Sequence, residues 1–262
     1  MIDIEIGKYV EQAIDWISVE AAGFFGGITT GVDAIVEGFQ ALLLAPPFYI
    51  TTLLIAILMY WLNARKEGAF TKDGWKKGGG IAIFTILGLI LLEGMGYWQQ
   101  TMETTALVVA SALIAIVIGI PIGIWAAKSN RVDQIVRPLL DFMQTMPPFV
   151  YLIPAILFFS VGNVPGVVAT VVFSLPPAVR FTNLGIRNVQ KDVVEASIAF
   201  GSTDRQMLGK VQIPLAMTTI LAGVNQVIML ALSMVVIASM VGAAGLGASV
   251  YQGIFQADVA FG

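Results

Sequence analysis

Residues 105–127 read TALVVASALIAIVIGIPIGIWAA, with no charged side chain, and Lys128 closes the run. A helix needs about 20 consecutive apolar residues to cross a bilayer, and this stretch supplies them. Five comparable segments accompany it, near 46–63, 79–98, 138–160, 164–180 and 214–242. The 262-residue chain is 57% hydrophobic and 12% charged, with a mean hydropathy of +0.86. A soluble domain carries about 25% charged residues, so too few charges remain here to coat one. The sequence therefore predicts an all-α, polytopic membrane protein with six spans. Glu93 interrupts the second segment and fits at the interface if that end of the span is the outer one. Pro121, Pro148, Pro154, Pro176 and Pro177 lie inside segments. They suit helices kinked or broken around a pathway, although Pro is also simply commoner in membrane helices.

Lys and Arg set the orientation. Apart from Lys8, they fall in three connections: Arg65, Lys66, Lys72, Lys76 and Lys77; then Lys128, Arg131 and Arg137; then Arg180, Arg187, Lys191, Arg205 and Lys210. The alternation places these three connections in the cytoplasm and the N-terminus outside. Trp61 and Trp125 then mark the inner interface, Tyr97 and Trp98 the outer one.

Residues 1–45 stand apart, with seven of the 17 acidic residues and only Lys8 as a base. Val10, Ala13, Ile14 and Ile17 recur at helical spacing against Glu11 and Asp15. After a break at Gly26-Gly27, Val32, Ile35, Val36, Phe39 and Leu43 repeat the pattern against Asp33 and Glu37. Two amphipathic helices on the membrane surface fit this; so do helices packed on a neighbouring protein domain. The first division expected is thus an extracytoplasmic or interfacial segment 1–45 before a transmembrane domain 46–262. The run from Gly245 to Gly262 ends on the outer side and is expected to continue in a longer chain.

The composition excludes several chemistries. With no Cys and no His, thiol nucleophiles, thiolate metal sites, Ser-His-Asp triads and imidazole bases are absent. No GxxxxGK[ST] string offers a phosphate-binding loop, and a net charge of −3 does not suggest nucleic acid as a partner. An intramembrane enzyme is disfavoured for the same reasons.

Residues 181–213 form the only sizeable polar connection. They read as a helix near 188–200, a turn at Gly201 and a second helix near 203–210, with Ser202 or Thr203 placed to cap the second. Pro214 is expected to open the sixth span, where a missing N–H costs nothing. Such a compact cytoplasmic knob, tied at both ends to membrane helices, would move them when pushed.

Within it, Glu195-Ala196-Ser197, three residues, Gly201, nine residues, then Val211-Gln212-Ile213-Pro214 resembles the EAA loop of ABC importer permeases. Ser197, Val211 and Ile213 depart conservatively from that pattern. Asp141 to Pro147, Phe149 to Pro154, Thr182 to Arg187, and Gly223 to Gln226 continuing to Met240 resemble the permease of glycine betaine/proline betaine importers. The resemblance covers about residues 105–258.

It implies a type I ABC importer permease fold in a bacterial or archaeal cell membrane. Two copies of the domain would line a path, with two ATP-binding cassette subunits gripping the knobs. An extracytoplasmic binding protein, or a fused binding domain, would deliver the solute. ATP and Mg would sit on the partner subunits, with no cofactor on this chain. Glu195 is then the charged contact on the knob, or else an ordinary solvated helix acid, and Gly201 is the turn that sets the two-helix angle. Arg187 and Arg205 are candidate ATPase contacts, a purely orienting role being the alternative.

Candidate path residues are Met143, Thr145, Met146, Phe149 and Tyr151 on the fourth span, Ser174 on the fifth, and Asn225, Met229 and Ser233 on the sixth. Adaptable Met and flat aromatic surfaces suit a quaternary ammonium zwitterion; helix packing is the competing role for each. Asn225-Gln226 would equally serve as hydrogen-bonding glue between spans. The competing function is an autonomous ion-coupled carrier or channel. Such carriers often show inverted repeats, and no internal repeat is evident here.

Overall fold

The structure, a computed structural model, describes residue 14, residues 16–64 and residues 72–256, and among these every regular element is helical. Residues 16–20 are helical, and the helices that follow are, in order, α1 Ala22–Leu44, α2 Phe48–Ala64, α3 Lys72–Gly94, α4 Trp98–Lys128, α5 Asn130–Thr145, α6 Phe149–Phe159, α7 Asn163–Arg187, α8 Lys191–Ala199, α9 Asp204–Met207, α10 Ile213–Ser233, α11 Val235–Ser239 and α12 Leu246–Gln256. A π-helical turn, Leu208–Gln212, joins α9 to α10. The chain divides into two compact units, one of residues 1–33 and 108–243, the other of residues 34–107 and 244–262.

The first unit is built around α7. Most of its residues are buried, including Pro176, Pro177 and Ser174. α4 reaches it through Gly119 and Gly123. A Cβ added at Gly123 would lie 2.6 Å from Thr182 Cβ and 2.7 Å from Val179 O, so only glycine permits the two backbones this approach. On the other side, α10 buries Ala216, Ile220, Gly223, Val227 and Ala231. Ile186, Ala216 and Ile220 form one core, sealed by Ile120, Ile124, Ala127 and Leu208. Leu152, Ala169, Met234 and Val241 form another. At the edge of the unit the Phe25 ring stacks on Phe158 at 4.6 Å and meets Phe159 edge-on.

In the second unit α2 and α3 form a helical hairpin. Thr51 donates to Leu43 O at 3.2 Å, the Phe48 ring meets Trp98 edge-on at 6.1 Å, and the Leu246 amide donates to Thr104 Oγ1 at 2.8 Å.

Several boundaries differ from those expected. The segment 138–160 is not one straight span: α5 and α6 meet at an angle of 101°. The bend falls just before Pro147 and Pro148, which disfavour helical geometry in the preceding residue, and Met146 is extended at φ −78°, ψ 137°. α5 is instead amphipathic. Asp133, Val136, Leu140 and Met143 share its inward face, while Ile135, Leu139 and Phe142 are exposed.

α7 runs seven residues beyond the expected end at 180, to Arg187. Tandem prolines remove two N–H donors, but packing on both flanks holds the helix. The sixth segment ends as α10 at Ser233, with the short α11 beyond it. Gly26 and Gly27 lie inside α1 rather than at a break, and α1 meets the length and composition of a span. Among the described residues four helices do so, and the bent pair makes a fifth when counted as one span. α2 and the apolar part of α3, Gly78–Gly94, are shorter. At 1.5 Å per residue each is about 26 Å long, just under the ~30 Å hydrocarbon thickness. The pattern read at Val10, Glu11, Ala13 and Asp15, the bases Arg65 and Lys66, and the end of the tail lie outside the described residues.

Candidate coupling site

α7 emerges from the core at Arg187, and the Asn188 amide closes its last turn on Leu184 O at 3.0 Å. α8 follows. At its end the Ser202 amide donates to Ser197 O at 3.1 Å and the Gly201 amide to Ile198 O at 2.8 Å. This pair of bonds is a Schellman stop. It requires a left-handed residue, and Gly201 sits at φ +79°, where any other L-residue is strained. Thr203 then opens α9 with a capping box: its Oγ1 accepts from the Gln206 amide at 3.4 Å, and Gln206 Oε1 accepts from the Thr203 amide at 3.0 Å. The turn and cap therefore stand where the residue types place them.

Pro214 stands in the first turn of α10, as expected, but this start is not a free one. The chain is helical from Asp204 onward, and in the π turn the Ile213 amide donates to Leu208 O. In an α-helix the Pro214 ring would press on the carbonyl four residues earlier, and the wider π turn relieves that clash.

The end of α4, the end of α7 and the two short helices enclose a cleft of about 460 Å³, lined by Lys128, Arg187, Lys191, Glu195, Asp204 and Gln212 among others. Lys128 Nζ donates to Asp204 O at 3.3 Å. The second and third basic connections therefore meet at one end of this unit. Glu195 and Ala196 are exposed, whereas Ser197 Oγ and Gln212 Oε1 are buried without a hydrogen-bond partner. Val211 and Ile213 are half-buried, and Pro214 and Arg205 are exposed. Two apolar side chains project outward on the same segment, Phe200 at 91% exposure and Ile198 at 57%. Residue-type patterning singles out neither one.

Arg187 is partly exposed yet held in place by neighbouring acceptors. Its guanidinium donates to Asn183 Oδ1, Asn130 Oδ1 and Ala126 O, each at 2.8 Å. Beside it stands Asp133, 8% exposed, which the sequence places merely within the second basic connection. Asp133 Oδ1 accepts from Asn183 Nδ2 at 2.6 Å and from Arg137 Nε at 3.1 Å. Its Oδ2 lies 2.9 Å from Arg137 and 3.7 Å from Arg187. The available signal is register: in an amphipathic helix from Asn130, Asp133 falls on the same face as Val136 and Leu140.

The candidate path residues separate into groups. Asn225, Met229 and Ser233 lie on one exposed stripe of α10, opposite the face packed on α7, and Ser233 donates to Met229 O at 2.9 Å. Met143, Thr145, Met146, Phe149 and Tyr151 gather around the α5–α6 bend, where the Tyr151 hydroxyl donates to Met143 O. Thr145 and Phe149 are exposed, while Met143, Met146 and Tyr151 are half-buried. Ser174 stands apart from both groups, fully buried and donating to Thr170 O at 2.7 Å. Among the described residues no group of three or more Asp and Glu side chains gathers as a metal site would require.

Apolar helices long enough to cross a bilayer, joined through a polar segment of two short helices, place this chain in the class of helical membrane proteins. Known proteins are similar to it in sequence. The family described as "Binding-protein-dependent transport system inner membrane component" matches residues 119–262. The glycine betaine transport system permease protein of Bacillus subtilis strain 168 is 49% identical over 259 residues, 99% of this chain and 87% of the relative. The glycine betaine/carnitine transport permease protein of Listeria monocytogenes is 47% identical, over 99% of this chain and 88% of the relative. The glycine betaine/proline betaine transport system permease protein of Escherichia coli K12 is also 47% identical, over 98% of this chain and 68% of the relative. Among solved structures, a chain of the MetNI methionine ABC transporter in an inward-facing conformation aligns with a TM-score of 0.54. That alignment has 23% identity and covers 58% of this chain and 77% of that one, so it speaks to the fold. The chain belongs to the binding-protein-dependent transport system inner membrane component family. It is a multi-pass ABC importer permease subunit, and separate subunits hydrolyse the ATP.

Proposed function

We propose that this chain lines the translocation path of an importer for a compatible solute of the glycine betaine/proline betaine class. Residues 181–213 are its coupling segment. The observation that carries the reading is the Gly201 turn. A Schellman stop and a capping box, back to back, fix the angle between α8 and α9, so force applied to either short helix reaches α7 and α10 without being absorbed.

Two ATP-binding cassette subunits grip this segment, one on each of two permease copies, and ATP and Mg are bound there. Coupling requires that the ATPase contacts differ between its two states. Glu195 is the charged contact, Ala196 and Ser197 sit at the docking surface, and Gly201 sets the angle. Val211, Ile213 and Pro214 transmit motion into α10. The exposed Phe200 supports a docked partner, because single large apolar anchors dominate such interfaces. Arg205 faces outward and suits an ATPase contact. Arg187 acts from beneath, holding the end of α7.

Asn225, Met229 and Ser233 form one wall of the path, and the bend residues Met143, Thr145, Met146, Phe149 and Tyr151 form another. Ser174 contributes only after α7 moves. Residues 1–45 lie on the extracytoplasmic side or at the interface, α1 resting along the membrane surface although its length and composition also match a span; the N-terminus lies outside, and an external binding protein or fused binding domain delivers the solute. The betaine class follows the relatives' names and the aromatic and Met character of the bend, which suits a quaternary ammonium group.

The test is uptake of labelled glycine betaine into proteoliposomes holding the full transporter. ATP-dependent uptake that Gly201→Pro and Glu195→Lys abolish is expected. Uptake by this chain alone, without the ATPase, would overturn the reading in favour of an autonomous carrier.

A further inference from the structure

We propose that Asp133 is a positioning residue that makes α5 move with the end of α7, so that displacement of the coupling segment is delivered to the α5–α6 bend. This rests on the coupling reading above and assigns its inner transmission element.

Three observations carry it. First, α5 is held to the last turns of α7 by two separate polar links, at its two ends. Near its start, Asp133 accepts from Asn183 at 2.6 Å and faces Arg187 at 3.7 Å. Near its end, Asp141 is ion-paired with Arg180. Two links roughly two turns apart fix orientation as well as distance, which one link does not.

Second, the Asp133 link is buried, where hydrogen bonds to a charged group are strong and an unmatched partner is heavily penalised. Arg187 in turn bridges Asn183, Asn130 and Ala126. The final turn of α7, the start of α5 and the end of α4 thus act as one body, and α8 leaves α7 only three residues later.

Third, α5 runs directly into the 101° bend, and the Tyr151 hydroxyl closes that bend on Met143 O. A rotation of α5 therefore reaches Met143 and Tyr151, which are candidate path residues. Pro147 and Pro148 supply the stiff corner through which the motion turns.

The experiment uses the complete transporter in proteoliposomes and measures glycine betaine uptake and ATP hydrolysis together. Asp133→Ala is expected to leave ATPase activity near wild type while solute moved per ATP falls at least about tenfold. Asp133→Asn, which keeps the acceptor for Asn183, is expected to retain more transport. A purely structural role would lower both activities in parallel and would overturn the proposal, as would an unchanged ratio.

Should Asp133→Ala fail to assemble, the exposed second link decides the matter. Asp141→Arg is expected to lower the ratio, and Asp141→Arg with Arg180→Asp to restore it. No loss, or no rescue, contradicts the proposal. Failure of the coupling reading is distinguishable, because Glu195→Lys would then also leave transport unchanged.

Discussion

Asp133 and Arg187 meet across 3.7 Å at the base of the coupling segment, with Asn183 donating to the same carboxylate at 2.6 Å. The carboxylate is buried, and its acceptor capacity is taken up by donors from two helices. Replacing it by Ala orphans the Asn183 amide and leaves Arg137 and Arg187 without their anion. Asp133→Ala should therefore destabilise the purified subunit by about 1.5–3 kcal/mol, and Asp133→Asn by less. Thermal unfolding in detergent checks this; equal melting temperatures for wild type and Asp133→Ala would contradict it.

Gly201 occupies φ +79°, and a Cβ placed on it would have nothing within 4 Å, so only backbone strain opposes substitution. Gly201→Ala should cost about 1–2 kcal/mol locally, while Gly201→Asn, which tolerates the left-handed region, should cost less. Uptake should follow the order wild type, Asn, Ala, Pro. An Ala variant as active as wild type would show that the turn angle is not used.

At Gly123 the constraint is space rather than conformation. A Cβ there would lie 2.6 Å from Thr182 Cβ, so Gly123→Val must push α4 away from α7. We expect about 1–3 kcal/mol of destabilisation, read as a lower melting temperature. Gly209, with open space around it, should accept Ala without such a loss.

Phe200 is 91% exposed and supports nothing within the subunit. Phe200→Ser should change subunit stability by no more than about 0.5 kcal/mol, yet weaken ATPase-subunit binding by about tenfold or more, as expected of an apolar anchor. Affinity of the purified permease for the ATPase subunit, measured beside its melting curve, separates the two effects.

Uncharged runs and the alternation of Lys and Arg mark the helical membrane architecture in residue types alone, because burial of charge in hydrocarbon is so unfavourable that few sequences violate it. The Gly201 stop and the Thr203 cap are equally legible, since each is a local backbone requirement. What residue types do not carry are features decided by neighbours distant in sequence. α7 runs through Pro176-Pro177 because α4 and α10 pack against it, a tertiary effect that proline propensity does not contain. The Asp133 link joins a helix start to a helix end far along the chain. The consecutive prolines at 147 and 148 do hold a local signal for the α5–α6 bend, yet the same tandem pattern at 176 and 177 leaves a helix unbroken. Packing, not proline, separates the two cases.

The most direct measurement is site-specific cross-linking from the handle. The sequence holds no cysteine, so Phe200→Cys adds an attachment point at a known position of this subunit for a short cross-linker in the assembled transporter. The expected result is a cross-link to the ATP-binding subunit whose yield changes between nucleotide-free and ATP-trapped states. Modification of that cysteine by a membrane-impermeant reagent added outside intact cells, with no ATPase adduct in either state, would contradict the account.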